Sequence, residues 1–166
     1  MSKFTQKFTH IDPSNHPTMV DVGDKAVTKR VAVAQTRVRF PPTVVEALQS
    51  IEFSTSKGPV FHTAILAGVM GAKRTHELIP FCHPLGLENC KIAIDMEGDE
   101  AVIRCTVAVT GKTGVEMEAL TGASIAALTI YDMCKALSHE IVIGPTRLLE
   151  KSGGRSGHFV ATSDNG

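Results

Sequence analysis

The sequence predicts an α+β two-layer fold, with an antiparallel sheet on one side and helices on the other. Three observations carry this. Residues 90–96 (CKIAIDM) and 101–109 (AVIRCTVAV) alternate with period two around the connector 97–100 (EGDE), which is a hairpin signal. Residues 111–137 (GKTGVEMEALTGASIAALTIYDMCKAL) contain no proline and run for about six turns of helix. The predicted order is strand, two helices, hairpin, long helix, strand.

The elements follow in chain order. Residues 1–18, with Pro13 and Pro17, read as a mobile N-terminal arm. Residues 19–25 (MVDVGDK) read as a short strand-like piece ending in a turn. Val31, Val33, Val38 and Phe40 mark a strand, with Arg30, Arg37 and Arg39 on or near its polar side. Pro41-Pro42 stops that strand and starts a helix, which the spacing of Val44, Val45, Leu48 and Ile51 carries to about Phe53. After a break at 54–59 a second helix is expected over 60–78, built from small residues that permit close packing. Lys73 and Arg74 near its end suit the helix dipole.

Residues 79–86 (IPFCHPLG) cannot be regular structure, because two prolines bracket Cys82 and His83 and hold them in a stiff loop. A rigid loop carrying His is a natural place for a binding residue, and buried filler is the alternative. A metal site from Cys82, His83 and His76 is disfavoured, since adjacent Cys-His is poor chelate geometry and no second ligand pair follows. Residues 141–149 read as a last, interrupted strand. Residues 151–157 (KSGGRSG) place glycines between cations, which can surround an anion or form a frayed basic tail. The whole fits a ferredoxin-like sandwich with an added helix. At 166 residues the chain reads as one domain over 19–157 with a C-terminal tail over 158–166.

On a helical wheel of the long helix, Ser124, Lys135, Thr121, Asp132, Glu118, Thr129 and Gly122 fall within roughly 160° of one another, with Glu116 opposite. That arc has little charge and much Thr, Ser and Gly, so it is expected to face a site or a partner chain. Asp132 and Lys135 are three apart and therefore neighbours. They form either a surface ion pair or an acid–base pair tuned by partial burial. Glu118 and Asp132 share an azimuth but lie 14 residues, or ~21 Å, apart. One small substrate cannot touch both on a single straight helix. If both serve one site, a second subunit supplies one of them.

Composition narrows the function. The chain has 166 residues, 43% of them hydrophobic, enough for a real core. Seventeen basic and 17 acidic residues balance, which argues against a general nucleic-acid or membrane-surface binder. No apolar run is long enough to span a bilayer, and no secretory signal pattern opens the chain. Cys82, Cys90, Cys105 and Cys134 have no framework spacing, so reduced thiols and a cytoplasmic location are expected.

The runs 19–25, 57–85 (KGPVFHTAILAGVMGAKRTHELIPFCHPL), 111–137 and 143–157 (IGPTRLLEKSGGRSG) closely resemble the molybdenum cofactor biosynthesis protein C (MoaC) family, the cyclic pyranopterin monophosphate synthases. The resemblance keeps order and spacing through nearly all of the chain after residue 19. It implies a ferredoxin-like core in a homohexamer, a trimer of dimers, with sites at the dimer interface. It also implies a nucleotide substrate, 3′,8-cyclo-7,8-dihydro-GTP, supplied by a radical S-adenosylmethionine enzyme. The products would be cyclic pyranopterin monophosphate and diphosphate.

Carried over by motif, Asp132 and Lys135 resemble the family's central catalytic pair. Phe81, Cys82, His83, Met117 and Glu118 resemble its substrate-binding residues. Lys57, Glu116 and Lys151 resemble further pocket members. Lys57, Lys73, Arg74 and Lys151 are candidates to neutralise the triphosphate. The sequence requires no cofactor and shows no metal site; a Mg²⁺ carried by the triphosphate could share the charge. Two readings compete without the resemblance. One is a non-catalytic nucleotide- or phosphate-binding oligomeric module. The other is a structural oligomer whose Asp132–Lys135 pair fixes register.

Overall fold

A computed structural model describes residues 11–162 apart from 13 and 156. Residues 1–10 of the arm expected over 1–18, and the end of the tail at 163–166, lie outside the described residues.

β1 (Thr28–Arg39) is followed by α1 (Pro42–Ser50), a two-residue ladder of β2 (Ser54–Thr55) with β3 (Gly58–Pro59), α2 (Val60–Lys73) and α3 (Thr75–Leu78). The hairpin of β4 (Asn89–Glu97) and β5 (Glu100–Gly111) comes next, then α4 (Glu116–Cys134). β6 (Val142–Ile143), β7 (Arg147–Ser152) and β8 (Phe159–Val160) close the chain. The main sheet runs β4-β5-β1-β7-β8, with β6 also on β1, and every pairing is antiparallel. Reduced to its long strands, this is the β-α-β-β-α-β order of the expected ferredoxin-like sandwich.

Period two explains which sheet face the helices cover. Ala32, Ala34, Thr36 and Val38 of β1 stand opposite Val107, Cys105, Ile103 and Ala101 of β5, and all eight are buried. β4 adds Ile92, opposite Cys105. The hairpin turns at Gly98-Asp99, where Gly98 has φ +65°, a left-handed value natural to glycine. α2 and α4 lie side by side on this face. Gly68 and Gly122 meet at the crossing, where a methyl on Gly68 would stand 2.8 Å from the carbonyl oxygen of Gly122.

Four expectations need correction. Residues 19–25 form no strand: the Asp21 carboxylate accepts the Gly23 N–H at 2.8 Å, a local turn that competes with any ladder. The helix expected over 60–78 breaks at Arg74 (φ −113°) into α2 and α3. The break is held by the Thr75 hydroxyl donating to the Ala72 carbonyl at 3.0 Å. The tail expected from residue 158 includes β8, which pairs Val160 and Phe159 with Glu150 and Lys151. The arc of α4 expected to face a site or partner is not one surface. Gly122 is buried against α2, Glu118 points into a cavity, and Asp132 lies exposed at the far end.

No helix among the described residues is long and apolar enough to cross a membrane.

Candidate active site

The N-terminal turn of α4 borders an open cavity of about 770 Å³. Its walls come from five places. The loop after α3 contributes Phe81, Cys82 and His83. The start of α4 contributes Glu116, Met117 and Glu118. The end of β7 and the following turn contribute Lys151, Gly153, Gly154 and Arg155. The segment before β1 and the start of β1 contribute Asp24, Lys25, Thr28 and Arg30, and the β5–α4 turn adds Lys112, Thr113 and Gly114. Five cations (Lys25, Arg30, Lys112, Lys151, Arg155) thus face three acids (Asp24, Glu116, Glu118). The balance favours an anion.

One acid is already neutralised by a neighbour. Lys151 Nζ lies 3.0 Å from Glu116 Oε1, across from β7 to α4. The Glu116 carboxylate folds back over Gly114, where a methyl would stand 1.9 Å from Glu116 Oε2. The wheel places Glu116 opposite Glu118, but at the first turn of a helix both side chains can bend toward the same opening.

Glu118 is only 5% exposed. Burial pushes its pKa up, its own backbone N–H opposes that, and the Glu116 charge adds to the rise. The carboxyl is therefore harder to ionise than an exposed glutamate. Burial first, and then the Glu118 charge, raises the Cys82 pKa, which disfavours its thiolate. The hydroxyl oxygens of Thr28 and Thr113 are buried without a hydrogen-bond partner among the described residues.

Arg30, expected on or near the polar side of its strand and not as a pocket residue, instead lines the cavity. It donates from Nε to the Gly111 carbonyl and from Nη2 to the Lys112 carbonyl, both at 3.4 Å. A signal was present. Arg30 shares the parity of Ala32, Ala34 and Val38, so it sits on the helix-covered face of the sheet, where an unneeded cation would not be left. Lys25, Lys112 and Arg155 carried weaker signals, as cations beside glycine-rich turns.

Lys57, Asp132 and Lys135 do not line this cavity. They form a second cluster at the C-terminal end of α4. Asp132 Oδ2 is 2.7 Å from Lys57 Nζ and Oδ1 is 2.7 Å from Lys135 Nζ, and Lys57 also donates to the Asp132 main-chain carbonyl at 3.0 Å. All three side chains are half exposed, Asp132 at 54% and both lysines at 50%. The hydrogen bond from Lys135, then that from Lys57, lowers the Asp132 pKa to about 2, and Asp132 raises that of Lys135. Partial burial does not tune the pair within one protomer. Lys73 and Arg74 lie outside the cavity as well.

This cluster makes a checkable prediction. The depressed pKa means the ion pair is intact above the ordinary carboxyl value of 3.8 and is lost as pH falls through about 2. Carboxyl-carbon NMR should give Asp132 a midpoint near 2, and Lys57→Ala should move that midpoint upward. An unshifted midpoint in the parent protein would mean the triad does not persist in water.

Among the described residues, no group of three or more His, Cys, Asp or Glu is gathered as a metal-ligand set. The chain's relatives now bear on these two clusters. The MoaC family model matches residues 19–154. Proteins named cyclic pyranopterin monophosphate synthase from Xanthomonas axonopodis pv. citri (strain 306) and Xanthomonas oryzae pv. oryzae (strain MAFF 311018) are 58% and 57% identical over 150 residues. Each alignment covers 90% of this chain and 91% of the relative. Molybdenum cofactor biosynthesis protein 1 of Dictyostelium discoideum is 49% identical over 168 residues, spanning 90% of this chain and 27% of that protein. A family match over residues 19–154 and identity at this level over 90% of the chain establish that the chain belongs to the MoaC family.

Proposed function

We propose that this protein converts (8S)-3′,8-cyclo-7,8-dihydroguanosine 5′-triphosphate to cyclic pyranopterin monophosphate and diphosphate, a step in molybdenum cofactor biosynthesis. The observation that carries the reading is the 58% identity, across nearly all of both chains, to a protein named for that reaction. The cavity agrees in size and charge. Arg30, Lys112, Lys151 and Arg155 surround the triphosphate, and the loop of Phe81, Cys82 and His83 packs on the ring system with Met117. Glu118, buried at the head of α4, hydrogen-bonds the ring system.

Ring rebuilding needs proton transfers at several atoms, and closing the cyclic phosphate needs a sugar hydroxyl to lose its proton as it attacks the α-phosphorus. The bond to the β-phosphate then breaks and diphosphate leaves, its charge met by the cations. Asp132 and Lys135 carry the proton transfers. Fourteen residues of helix, ~21 Å, separate Asp132 from Glu118, so the catalytic pair reaches a cavity formed by another copy. Enclosure by that copy and by substrate strips water from the pair. That raises the Asp132 pKa and lowers that of Lys135, toward values useful near neutrality.

The assembly is a homohexamer, a trimer of dimers. Leu66 and Met70, one turn apart on α2 and 67% and 54% exposed, give apolar surface that a second copy can cover. The substrate comes from a radical S-adenosylmethionine enzyme, a Mg²⁺ travels with the triphosphate, and the reaction takes place in the cytoplasm.

Incubation of the purified protein with this substrate should release diphosphate and a pterin, fluorescent after oxidation, in equal amounts. One observation favours a non-catalytic nucleotide-binding module instead, namely that Asp132 and Lys135 stand away from the protomer's own cavity. Binding of the triphosphate by a well-folded oligomer, with neither product formed, would establish that second reading.

A further inference from the structure

The turn after β7 contains two glycines whose missing side chains are not equivalent. A methyl on Gly153 would stand 2.2 Å from the main-chain carbonyl oxygen of Lys29, and so would strike backbone. A methyl on Gly154 would stand 1.7 Å from Arg30 Nη1 and 2.7 Å from its Cζ. Gly154 therefore touches the mobile end of a side chain, which can move away, but only by abandoning its position. That position is defined. The guanidinium donates to the carbonyls of Gly111 and Lys112, and it stands on a wall with the unpartnered hydroxyls of Thr28 and Thr113. Two of its five N–H groups are used on those carbonyls, and the rest are available to a phosphate.

We infer that Gly154 is a positioning residue for anion binding: the bare backbone there leaves the space that the Nη1 end of the Arg30 guanidinium occupies in the cavity wall. This rests on the reading of the cavity as the triphosphate site. It adds that the glycine-rich turn contributes through Arg30 rather than only through its own N–H groups. A helix or strand residue could not serve, because Gly154 has φ +74°.

Gly157 supplies the control. Its φ is +64°, nearly the same, yet nothing lies within 4 Å of the place a methyl would occupy, and it does not line the cavity. Alanine at 157 thus reproduces the backbone strain without touching Arg30. The experiment compares the full-length Gly154→Ala, Gly157→Ala, Arg30→Ala and Arg30→Ala/Gly154→Ala variants. It measures inorganic tripolyphosphate binding by calorimetry, and kcat and KM for the substrate named above.

Gly154→Ala should weaken tripolyphosphate binding and raise KM about tenfold, the size of a charge-assisted contact, with kcat within about twofold. Gly157→Ala should change neither. The double variant should match Arg30→Ala alone, since with the guanidinium gone the methyl meets nothing charged. Equal behaviour of Gly154→Ala and Gly157→Ala, or full additivity in the double variant, would overturn the inference. If Gly154→Ala does not fold, the double variant must fold, and its failure would overturn the inference too. A wild type that binds tripolyphosphate but does not turn over substrate would sink the proposed reaction alone. A wild type that does not bind tripolyphosphate would sink the positioning role.

Discussion

Lys135→Ala is expected to lower turnover by about 10² to 10⁴-fold, the range general acid–base catalysis supplies, while leaving the fold and the assembly intact. The structure separates these two effects. Lys135 caps the C-terminal end of α4 through its backbone N–H, which bonds the Tyr131 carbonyl at 2.8 Å and survives the substitution. Its side chain is half exposed and is ion-paired to Asp132, so its removal opens no core. An exposed ion pair adds little to stability, and Lys57 remains to hold Asp132. Asp132→Asn should be equally inactive. A register-fixing role for the pair predicts the reverse outcome, in which light scattering shows loss of assembly and surviving protein is active.

A complementation experiment extends this to the shared site. Lys135→Ala removes the catalytic cluster and Lys151→Ala damages the cavity. If each working site takes its cavity from one copy and its Asp132–Lys135 pair from another, a mixed dimer has one site carrying both changes and one carrying neither. Co-refolding the two inactive variants should then restore a substantial share of wild-type turnover. No recovery from oligomers shown to be mixed would place both clusters of a site on one chain, against the helix length.

The fold was legible because its signals are strong local periodicities. The β4–β5 alternation, the double proline before α1 and the rigid loop at 79–86 each follow from one or two residues whose stereochemistry leaves little choice. What escaped was decided by contacts. β8 is two residues long and exists only because β7 offers an edge, and nothing in Phe159-Val160 alone announces a strand. Residues 19–25 have strand composition but found no edge, and Asp21 turned the chain instead.

The site divides the same way. Phe81, Cys82 and His83, and the acids opening α4, stand out by their settings in stiff loop and helix start. Arg30 required knowing which face of β1 is covered, a fact fixed by the register with β5. The separation of Asp132 from Glu118 was legible as helix arithmetic. The exposure of Asp132 was not, since a wheel reports azimuth and says nothing of which end of the helix is covered.

Gly68→Val is expected to be the most damaging single change to stability, enough to prevent folding or to lower unfolding free energy by more than about 3 kcal/mol. The argument is steric, because α2 and α4 touch at their backbones. A methyl on Gly68 would meet Ile92 Cδ1 at 2.3 Å, the Gly122 carbonyl oxygen at 2.8 Å and Ala126 Cβ at 3.1 Å. The isoleucine end can rotate, but the carbonyl belongs to α4 and can move only with the helix. Overpacking of this kind costs about 1–3 kcal/mol per small insertion, and valine adds two further carbons.

Alanine tests the balance more finely. Glycine-to-alanine gains up to about 1 kcal/mol in a helix interior, so Gly68→Ala should lose only about 1–2 kcal/mol net. Gly71→Ala brings a methyl to 2.7 Å from Ile125 Cγ1 and 2.9 Å from its Cβ, an atom fixed to the α4 backbone, and should cost about as much as Gly68→Ala. Urea denaturation of the three variants, read at equal slope, checks this order. Gly68→Val as stable as the parent would mean that the helices can part without loss. Separation would also reach function, because α4 carries Glu118 at one end and Asp132 at the other. A displaced α4 shifts both clusters relative to the copies they face. Activity in Gly68→Ala should therefore fall before any loss of folded protein is visible.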